Sequence, residues 1–397
     1  MGGTTTDIAL IENGQVTVSE EGATVGDYKT SVKAANLLSI ALGGDSHITW
    51  DHRNEVLIGP ERVTPLAYLA QQFPRVGKEL KALSLRTWSQ ATPDWLEYWF
   101  LLRHPQDGQL RSQRERDLVA FLHDGPRPVP EILKHLGVLH VAQVGAGELI
   151  RQEVIGRAGL TSTDLMHIEG RYDVWDVTAS THAWQVFCQY QFRDTVELRR
   201  QVWTRMSEKI DHAILTFLSE RPLELADRGR SLAGDDRDAG RWFFYNSLYQ
   251  VHPHLETRIR LRPPLIGIGA PAGIFLPAVA EALHTDLILP VHHEVANAVG
   301  AVAGSVMVEE ELLIYPRLSR DGLEVFGYYV QAHDGRHEFE ELDTALAHAR
   351  ELSHERALGA ALRSGADNPE VTIEEQTDGL DTYRIRAKAV GNPRLMR

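Results

Sequence analysis

The chain opens with Met1-Gly2-Gly3-Thr4-Thr5-Thr6-Asp7-Ile8-Ala9-Leu10, and this stretch decides how the rest of the sequence is interpreted. Glycine lets the backbone approach a phosphate closely and turn its N–H groups toward it. Threonine hydroxyls add hydrogen-bond donors without adding charge, and Asp7 could bind magnesium-bound water or hold the turn. The alternative is an ordinary β-turn, because a glycine pair is common in turns. From these residues alone both interpretations stand.

The residues that follow predict strands joined by tight turns. Residues 6–11 are β-compatible, and Asn13-Gly14 is a two-residue hairpin signal before the return strand. A second glycine turn, Gly43-Gly44-Asp45, precedes another predicted strand pair at residues 48–50 and 56–58. The first 64 residues are therefore expected to be mainly β-structure.

A third glycine-rich segment, Gly267-Ile268-Gly269-Ala270-Pro271-Ala272-Gly273, lies between a predicted strand and a predicted helix. Glycines in that position allow a phosphate or a flat ligand to lie against the backbone. A dinucleotide site is the obvious alternative, but the spacing is G-x-G-x-x-x-G and not G-x-G-x-x-G. Asp286 also precedes the next predicted strand, whereas the ribose-binding acid should follow it. The sequence therefore disfavours a dinucleotide site.

Helical periodicity and strand patterns divide the remainder of the chain. Leucine, alanine, arginine and glutamate recur at helical spacing through residues 65–263, which predicts a mainly helical region. Residues 311–397 predict strands and one long helix at 337–364, a small α+β unit. We predict an α/β protein with three parts: residues 1–64 together with 264–310, an insertion at 65–263, and a C-terminal unit at 311–397.

Charge and cysteine content exclude some classes of protein. The formal net charge of −14 disfavours nonspecific binding of nucleic acid, which depends on lysine and arginine. A single cysteine, Cys188, allows no intrachain disulfide and fits a reducing cytoplasm. Prolines and glycines interrupt the most apolar stretch, residues 265–283, so no membrane span is predicted. We expect a cytoplasmic protein with neither nucleic acid nor membrane as partner; self-association is left open.

Two pairs of titratable residues are candidates for chemistry. Asp45 and His47 stand at i, i+2 on a predicted strand and share one side of it, a spacing that suits a metal pair or an acid/base pair. The alternative is a histidine hydrogen-bonded to local backbone. Asp164 and His167 could share a helix face. Residues 161–162 could instead provide a helix N-cap, with Asp164 in the first turn.

Several blocks of the sequence resemble the hydantoinase A/oxoprolinase family, which belongs to the superfamily of actin, sugar kinases and chaperone ATPases. The blocks are residues 1–10, 41–48 with 58–63, 159–167, 266–283 and 290–301, in family order. Their order is more specific than any single block. The resemblance implies an actin-like (ribonuclease H-like) ATPase lobe with a large mainly helical insertion and a small C-terminal α+β unit.

The resemblance implies ATP and Mg²⁺ as cofactors. Residues 2–7 would hold the β- and γ-phosphates, residues 267–273 the adenosine, and residues 43–47 would line the cleft. The implied cofactor-binding residues are Gly2, Gly3, Thr4, Thr5, Thr6, Gly43, Gly44, Gly267, Gly269, Ala270, Pro271 and Gly273. The implied catalytic residues are Asp7, Asp45 and His47, with Asp7 also near the metal.

The activity implied by the resemblance is ATP-dependent hydrolysis of a cyclic amide or imide of the hydantoin or 5-oxoproline type. ATP would phosphorylate the ring oxygen, and water would then open the ring. Alternatives are an ATPase that activates or reactivates another enzyme, an ATP-dependent carboxylase subunit, and an inactive half-site. A hydantoinase B-like subunit is the partner expected of a hydrolase or a carboxylase.

Members of the family usually carry an aspartate before the residue that matches Met1, and a first half with its own phosphate loop. In the superfamily, ATP lies in a cleft between two similar lobes. We therefore expect this sequence to be a fragment, or a separate polypeptide to supply the N-terminal lobe. Weak or absent activity is expected of the chain by itself, because a closed, water-excluded site needs both lobes.

Overall fold

The computed structural model describes residues 1–19, 24–25, 28–29, 34–51, 53–86, 93–106, 108–190, 192–219, 239–250, 252–319, 324–377 and 381–394. These residues form two compact units, Met1–Glu294 and Val295–Arg397. Strands and helices occur in both units, so the predicted α/β class is confirmed. The finer division of the chain at residues 64, 263 and 310 stays a prediction.

The first unit combines short strands with helices. Its strands are β1 (Thr6–Ala9), β2 (Ile11–Glu12), β3 (Gln15–Val16), β4 (Val18–Ser19), β5 (Thr24–Val25), β6 (Tyr28–Lys29), β7 (Ala34–Ala35), β8 (Leu37–Ile40), β9 (Ser46–Trp50), β10 (Val56–Arg62), β11 (Thr64–Pro65), β12 (Tyr98–Leu101), β13 (Arg127–Pro128), β14 (Ile155–Gly159), β15 (Leu265–Ile266) and β16 (Leu287–Ile288). Its helices are α1 (Leu66–Gln72), α2 (Pro74–Ser84), α3 (Gln113–Leu122), α4 (Val129–Leu136), α5 (Gly147–Arg151), α6 (Ser162–Ile168), α7 (Val177–Tyr190), α8 (Thr195–Ser219), α9 (Ala239–Tyr249) and α10 (Ala272–Ala282). Short 3₁₀ turns occupy Pro93–Leu96, Val141–Gln143 and His293–Val295. Of the described helices, none is long and apolar enough to cross a membrane.

The predicted tight hairpins are present near the N-terminus. Asn13 and Gly14 have φ values of 52° and 78°, and they join β2 to β3 with Ile11 opposite Val16. Positive φ at both central residues is what a two-residue hairpin turn requires. Strand β1 pairs antiparallel with β8, and β9 pairs antiparallel with β10. The first glycine segment directly precedes β1, and the second lies between β8 and β9.

Helices are the main elements of the described part of residues 65–263, but a sheet that the periodicity did not predict lies among them. Strand β14 pairs parallel with β11 and antiparallel with β12, and β13 completes the four-stranded sheet. Residues 98–100 of β12 are all buried, so the strand lacks the alternation that identifies a half-buried strand in a sequence. Such a short apolar run cannot be told from a buried helix segment by pattern alone.

The core of the first unit lies between the helices and this sheet. Trp184 and Phe187 of α7 are buried and stacked, with ring centroids 5.5 Å apart. Cys188 is fully buried beside them, and burial raises the pKa of its thiol to about 12. Cys188 is therefore a core residue.

The second unit is a five-stranded antiparallel sheet with one long helix packed on it. Its elements are α11 (Ala296–Ala303), β17 (Val306–Leu318), β18 (Val325–Ala332), β19 (Gly335–Phe339), α12 (Leu342–Arg363), β20 (Ala366–Thr377) and β21 (Tyr383–Pro393). The strand order is β19-β18-β17-β21-β20. The helix predicted from residue 337 begins only at Leu342, because residues 335–339 pair with β18 as an edge strand. Residues 371–375 and 383–389, with Asp378-Gly379 between them, are typical of a closing hairpin; strands β20 and β21 form it, and residues 378–379 lie outside the described residues.

One buried acid in α8 leads to a prediction about pH and stability. The Asp211 side chain is 1% exposed, its Oδ1 has no hydrogen-bond partner in the described part of the chain, and burial raises the pKa of the carboxyl to about 8. The folded chain therefore keeps this proton while the unfolded chain, with a pKa of about 4, releases it. The stability contributed by protonated Asp211 is complete below pH 4 and is lost as the pH rises to 8.

We expect Asp211→Asn to remove this pH dependence, since an amide does not titrate. The free energy of unfolding of the variant minus that of the wild type should rise between about pH 4 and pH 8, by on the order of a few kcal/mol. Chemical denaturation of both proteins at several pH values measures this difference. A difference that stays constant across the range would contradict the assignment.

Candidate functional site

The N-terminal turn presents backbone donors that the described part of the chain does not use. The Gly2 amide donates to Thr5 O at 2.9 Å, and Thr6 Oγ1 donates to Leu42 O at 2.7 Å, so both ends of the turn are held. No described residue accepts a hydrogen bond from the amides of Gly3, Thr4 or Thr5. Consecutive free N–H groups on a glycine turn are a common form of anion-binding backbone.

The second glycine segment lies directly against this turn. The Gly44 amide donates to Gly2 O at 3.1 Å, and the Asp45 amide donates to Gly3 O at 2.7 Å. A Cβ added to Gly43 would lie 2.4 Å from each of these two carbonyl oxygens. Only glycine fits such a close approach of two backbones. The carbonyls of the turn are therefore occupied, and its free amides remain available for a ligand.

The hydroxyl groups of Ser162 and Thr163 donate hydrogen bonds to the backbone of the second glycine segment. Ser162 Oγ donates to the carbonyl oxygens of Gly43 at 2.8 Å and Gly44 at 2.9 Å. Thr163 Oγ1 donates to the same Gly44 oxygen at 2.7 Å. Neither residue was among the predicted site residues, although they lie in the block 159–167 that the family resemblance singled out.

Asp164 and His167 have structural partners, which decides between the two interpretations of this pair. Thr161 is the N-cap of α6 and forms a capping box with Asp164. The Asp164 carboxylate also accepts from the Leu66 and Ala67 amides at 3.2 and 2.8 Å, at the start of α1. Trp175 N donates to Nε2 of the His167 ring at 3.1 Å. The structure supports helix capping and not a shared ligand face.

The third glycine segment also contacts the N-terminal turn. The amino group of Met1 donates to Ile268 O at 2.9 Å. Gly269 has φ +101°, and a Cβ there would lie 1.8 Å from Met1 O. The Gly269 amide donates to His293 O at 2.6 Å, which ties the segment to the 3₁₀ turn that follows β16. All three predicted glycine segments therefore meet at one place.

The other residues predicted to hold adenosine differ in exposure. Gly267 is buried, and a Cβ there would lie 2.7 Å from Leu276 Cδ1 and 2.7 Å from a Leu289 methyl, so this glycine permits packing of strand on helix. Pro271 is buried at the N-cap of α10, and Ala270 before it is exposed. Gly273 lies in the first turn of the same helix. The exposed edge at Ala270 is where a ligand would have access.

Asp7 is exposed at the end of the turn. It accepts a hydrogen bond from Thr5 Oγ1 at 3.3 Å. Burial lowers the pKa of the Met1 amino group, and the negative charge of Asp7 opposes that shift. In the described part of the chain there is no group of three or more His, Cys, Asp or Glu side chains that could hold a metal ion. A single carboxylate still fits Mg²⁺, which proteins usually bind through one or two carboxylates plus substrate phosphates.

Asp45 lies in the turn just before β9 and His47 lies within β9, and the two side chains have separate surroundings. Asp45 Oδ2 is 3.2 Å from Arg62 Nε; burial raises the pKa of Asp45, and Arg62 opposes the rise. His47 lies against Gly159, where a Cβ would be 2.6 Å from its Nε2. Burial lowers the pKa of His47, and Glu97 opposes the change. The described structure records no hydrogen bond between Asp45 and His47, so an acid/base pair of these two residues stays a prediction.

Residues 1–68 match the family model described as Hydantoinase/oxoprolinase. This confirms the predicted family resemblance for that segment. The matched residues include the first two glycine segments, the strand pair β9–β10 and the start of α1.

A solved structure is also similar, with a TM-score of 0.43 and 12% sequence identity over 100% of this chain and 46% of that chain. Its title is "Mechanism of ATP-Dependent Acetone Carboxylation, Acetone Carboxylase nucleotide-free structure". The chain spans less than half the length of that protein. No curated protein matches the sequence.

Proposed function

We propose that the meeting point of the three glycine segments binds ATP·Mg²⁺ and that the chain takes part in ATP-dependent opening of a cyclic amide or imide. The observation that carries the proposal is the set of amides at Gly3, Thr4 and Thr5 without acceptors in the described structure. They belong to the turn that is predicted to hold the β- and γ-phosphates, and the other two glycine segments both contact residues 1–3 of this turn. The family match over residues 1–68 supports the same assignment.

Each element of the proposed site has a separate task. The amides of residues 3–5 would donate to phosphate oxygens, and preorganised donors of this kind stabilise the charge of a transferring phosphoryl group. The Thr4 hydroxyl would add a neutral donor, whereas the Thr5 hydroxyl donates to Asp7. Asp7 would hold Mg²⁺ or its water. Residues 267–273 would carry the adenosine. ATP itself would supply the phosphoryl group, and its transfer to the lactam or imide oxygen would make the ring carbon electrophilic for attack by water.

Phosphate release with candidate substrates tests the reaction. Hydantoin or 5-oxoproline should stimulate ATP hydrolysis, with ring opening in step with phosphate release. The assay should include a hydantoinase B-like subunit or a separate N-terminal lobe as added components, since both are predicted partners. Stimulation by a ketone with bicarbonate would instead favour a carboxylase. Hydrolysis stimulated only by another enzyme would favour an activation factor.

The proposed role of Asp7 predicts a change in metal dependence. We expect Asp7→Asn to weaken ATP binding in Mg²⁺ and to change binding little without the metal, because the amide keeps the shape but loses the charge. Asp7 is exposed, so the fold should be unaffected. Calorimetric titrations with and without Mg²⁺ measure the difference, with the exposed Asp117→Asn on α3 as a matched control. Equal losses with and without Mg²⁺ would contradict the metal role.

A further inference from the structure

One carboxylate oxygen links an arginine to the phosphate turn. Asp45 Oδ2 is 3.2 Å from Arg62 Nε, and the same oxygen would lie 2.6 Å from a Cβ added to Gly3. The lack of a side chain at Gly3 is therefore what lets the Asp45 carboxylate lie against the turn. Arg62 is held by this oxygen, so its guanidinium is next to the amides proposed to receive phosphate.

A bulge in strand β10 sets the position of Arg62. Ile58 pairs with Ile48 and Arg62 pairs with Ser46, so β10 has extra residues between these pairs and forms a bulge. Gly59 in the bulge has φ +61°, where glycine is favoured. Just after the bulge, Val63 N donates to Asp45 O at 3.1 Å. Bulges commonly redirect a side chain next to a site.

The guanidinium of Arg62 retains free donors. Its side chain is 62% exposed, and Asp45 is the only partner that the described residues give it. Nε donates to Asp45, and no described residue accepts a hydrogen bond from either terminal nitrogen. The Asp45 side chain is only 21% exposed, which shields it more than the arginine. In this ion pair the positively charged Arg62 side chain is therefore the more exposed partner.

We propose that Arg62 binds the terminal phosphate of the nucleotide at the turn and that Asp45 is its positioning residue. The inference rests on the proposed ATP site and adds a charged contact to a site that otherwise offers neutral amides and hydroxyls. Arginine suits this task because its planar group can donate one hydrogen bond to Asp45 and others to a phosphate at once.

Calorimetry with ATP·Mg²⁺, ADP·Mg²⁺ and adenosine on the 397-residue chain tests the proposal. Arg62→Ala should weaken ATP binding roughly ten- to a hundredfold, the range expected for hydrogen bonds to a charged group, and leave adenosine binding unchanged. Arg200→Ala is the matched control: Arg200 is similarly exposed, at 71%, and pairs with Glu197 on α8. It removes the same charge and should not alter binding.

The variant Asp45→Asn distinguishes the positioning of Arg62 by Asp45 from the effect of the Asp45 charge on ATP binding. Removing a negative charge beside a phosphate would by itself tighten ATP binding, whereas loss of the hold on Arg62 should weaken it. We expect weaker ATP binding with an unchanged melting temperature. Tighter binding would overturn the positioning role of Asp45.

The affinities of wild type and Arg62→Ala for ATP test the role of Arg62. If the two affinities are equal, Arg62 does not bind the terminal phosphate, and the proposed ATP site is unaffected. No ATP binding by wild type would overturn both proposals.

Discussion

Gly43→Ala is expected to abolish ATP binding. The new methyl group would lie 2.4 Å from the carbonyl oxygens of both Gly2 and Gly3, and backbone atoms cannot move aside as the end of a flexible side chain can. The turn and the second glycine segment would have to separate. That separation would break the hydrogen bonds from Gly44 to Gly2 and from Asp45 to Gly3, which fix the direction of the free amides.

Gly147→Ala provides the matched control for this variant. Gly147 begins α5, and nothing lies within 4 Å of a Cβ added there. The same chemical change at this position should leave ATP binding intact and the stability nearly unchanged, because alanine favours a helix. Gly43→Ala should also destabilise the chain by about 1–3 kcal/mol, the range for forcing extra atoms into a packed site. Equal ATP affinities of Gly43→Ala and wild type would show that the close approach is not needed.

Asp164→Ala is expected to cause the largest loss of stability. The Asp164 carboxylate is fully buried and accepts hydrogen bonds from the Leu66 and Ala67 amides, from Ser180 Oγ and from Thr161. Alanine would leave these donors buried without an acceptor, at a cost of about 1–3 kcal/mol for each group that finds no water. We expect a total loss of about 3–5 kcal/mol, since several buried donors lose their shared acceptor at once.

A capping aspartate at the surface is the control for Asp164. Asp194 accepts from the amides of Val196 and Glu197 at 3.0 and 2.8 Å, at the start of α8, but it is exposed. Asp194→Ala should cost only about 1 kcal/mol, the usual value for an N-cap. Denaturant unfolding of both variants measures the comparison. Similar losses at the two positions would show that the buried network around Asp164 contributes no more than an ordinary cap.

The sequence predicted local features of the fold better than contacts between distant segments. The hairpin at Asn13-Gly14 follows from turn chemistry within two residues. The strand β12 was missed because a short buried run has no periodicity of its own. The start of α12 was placed too early because residues 335–339 pair with β18, a choice made by the neighbouring strand and not by local sequence.

The candidate site shows the same limit. The three glycine segments were identified from composition and from a family resemblance, and the match at residues 1–68 confirms that resemblance for the first two segments. The residues that hold them were not identified. Ser162 and Thr163 contact Gly43 and Gly44 across more than a hundred positions of sequence. Arg62 lies in the block 58–63 that resembles the family, but the sequence alone assigns it no role, since its place beside Asp45 depends on a bulge in β10.

We propose that the three glycine segments form one phosphate-binding site. Calorimetric titration of ATP·Mg²⁺ into the 397-residue chain and into Gly43→Ala tests whether they do. We expect a saturable, magnesium-dependent heat of binding for the wild type and none for Gly43→Ala. No binding by the wild type, or indistinguishable isotherms for the two proteins, would contradict it.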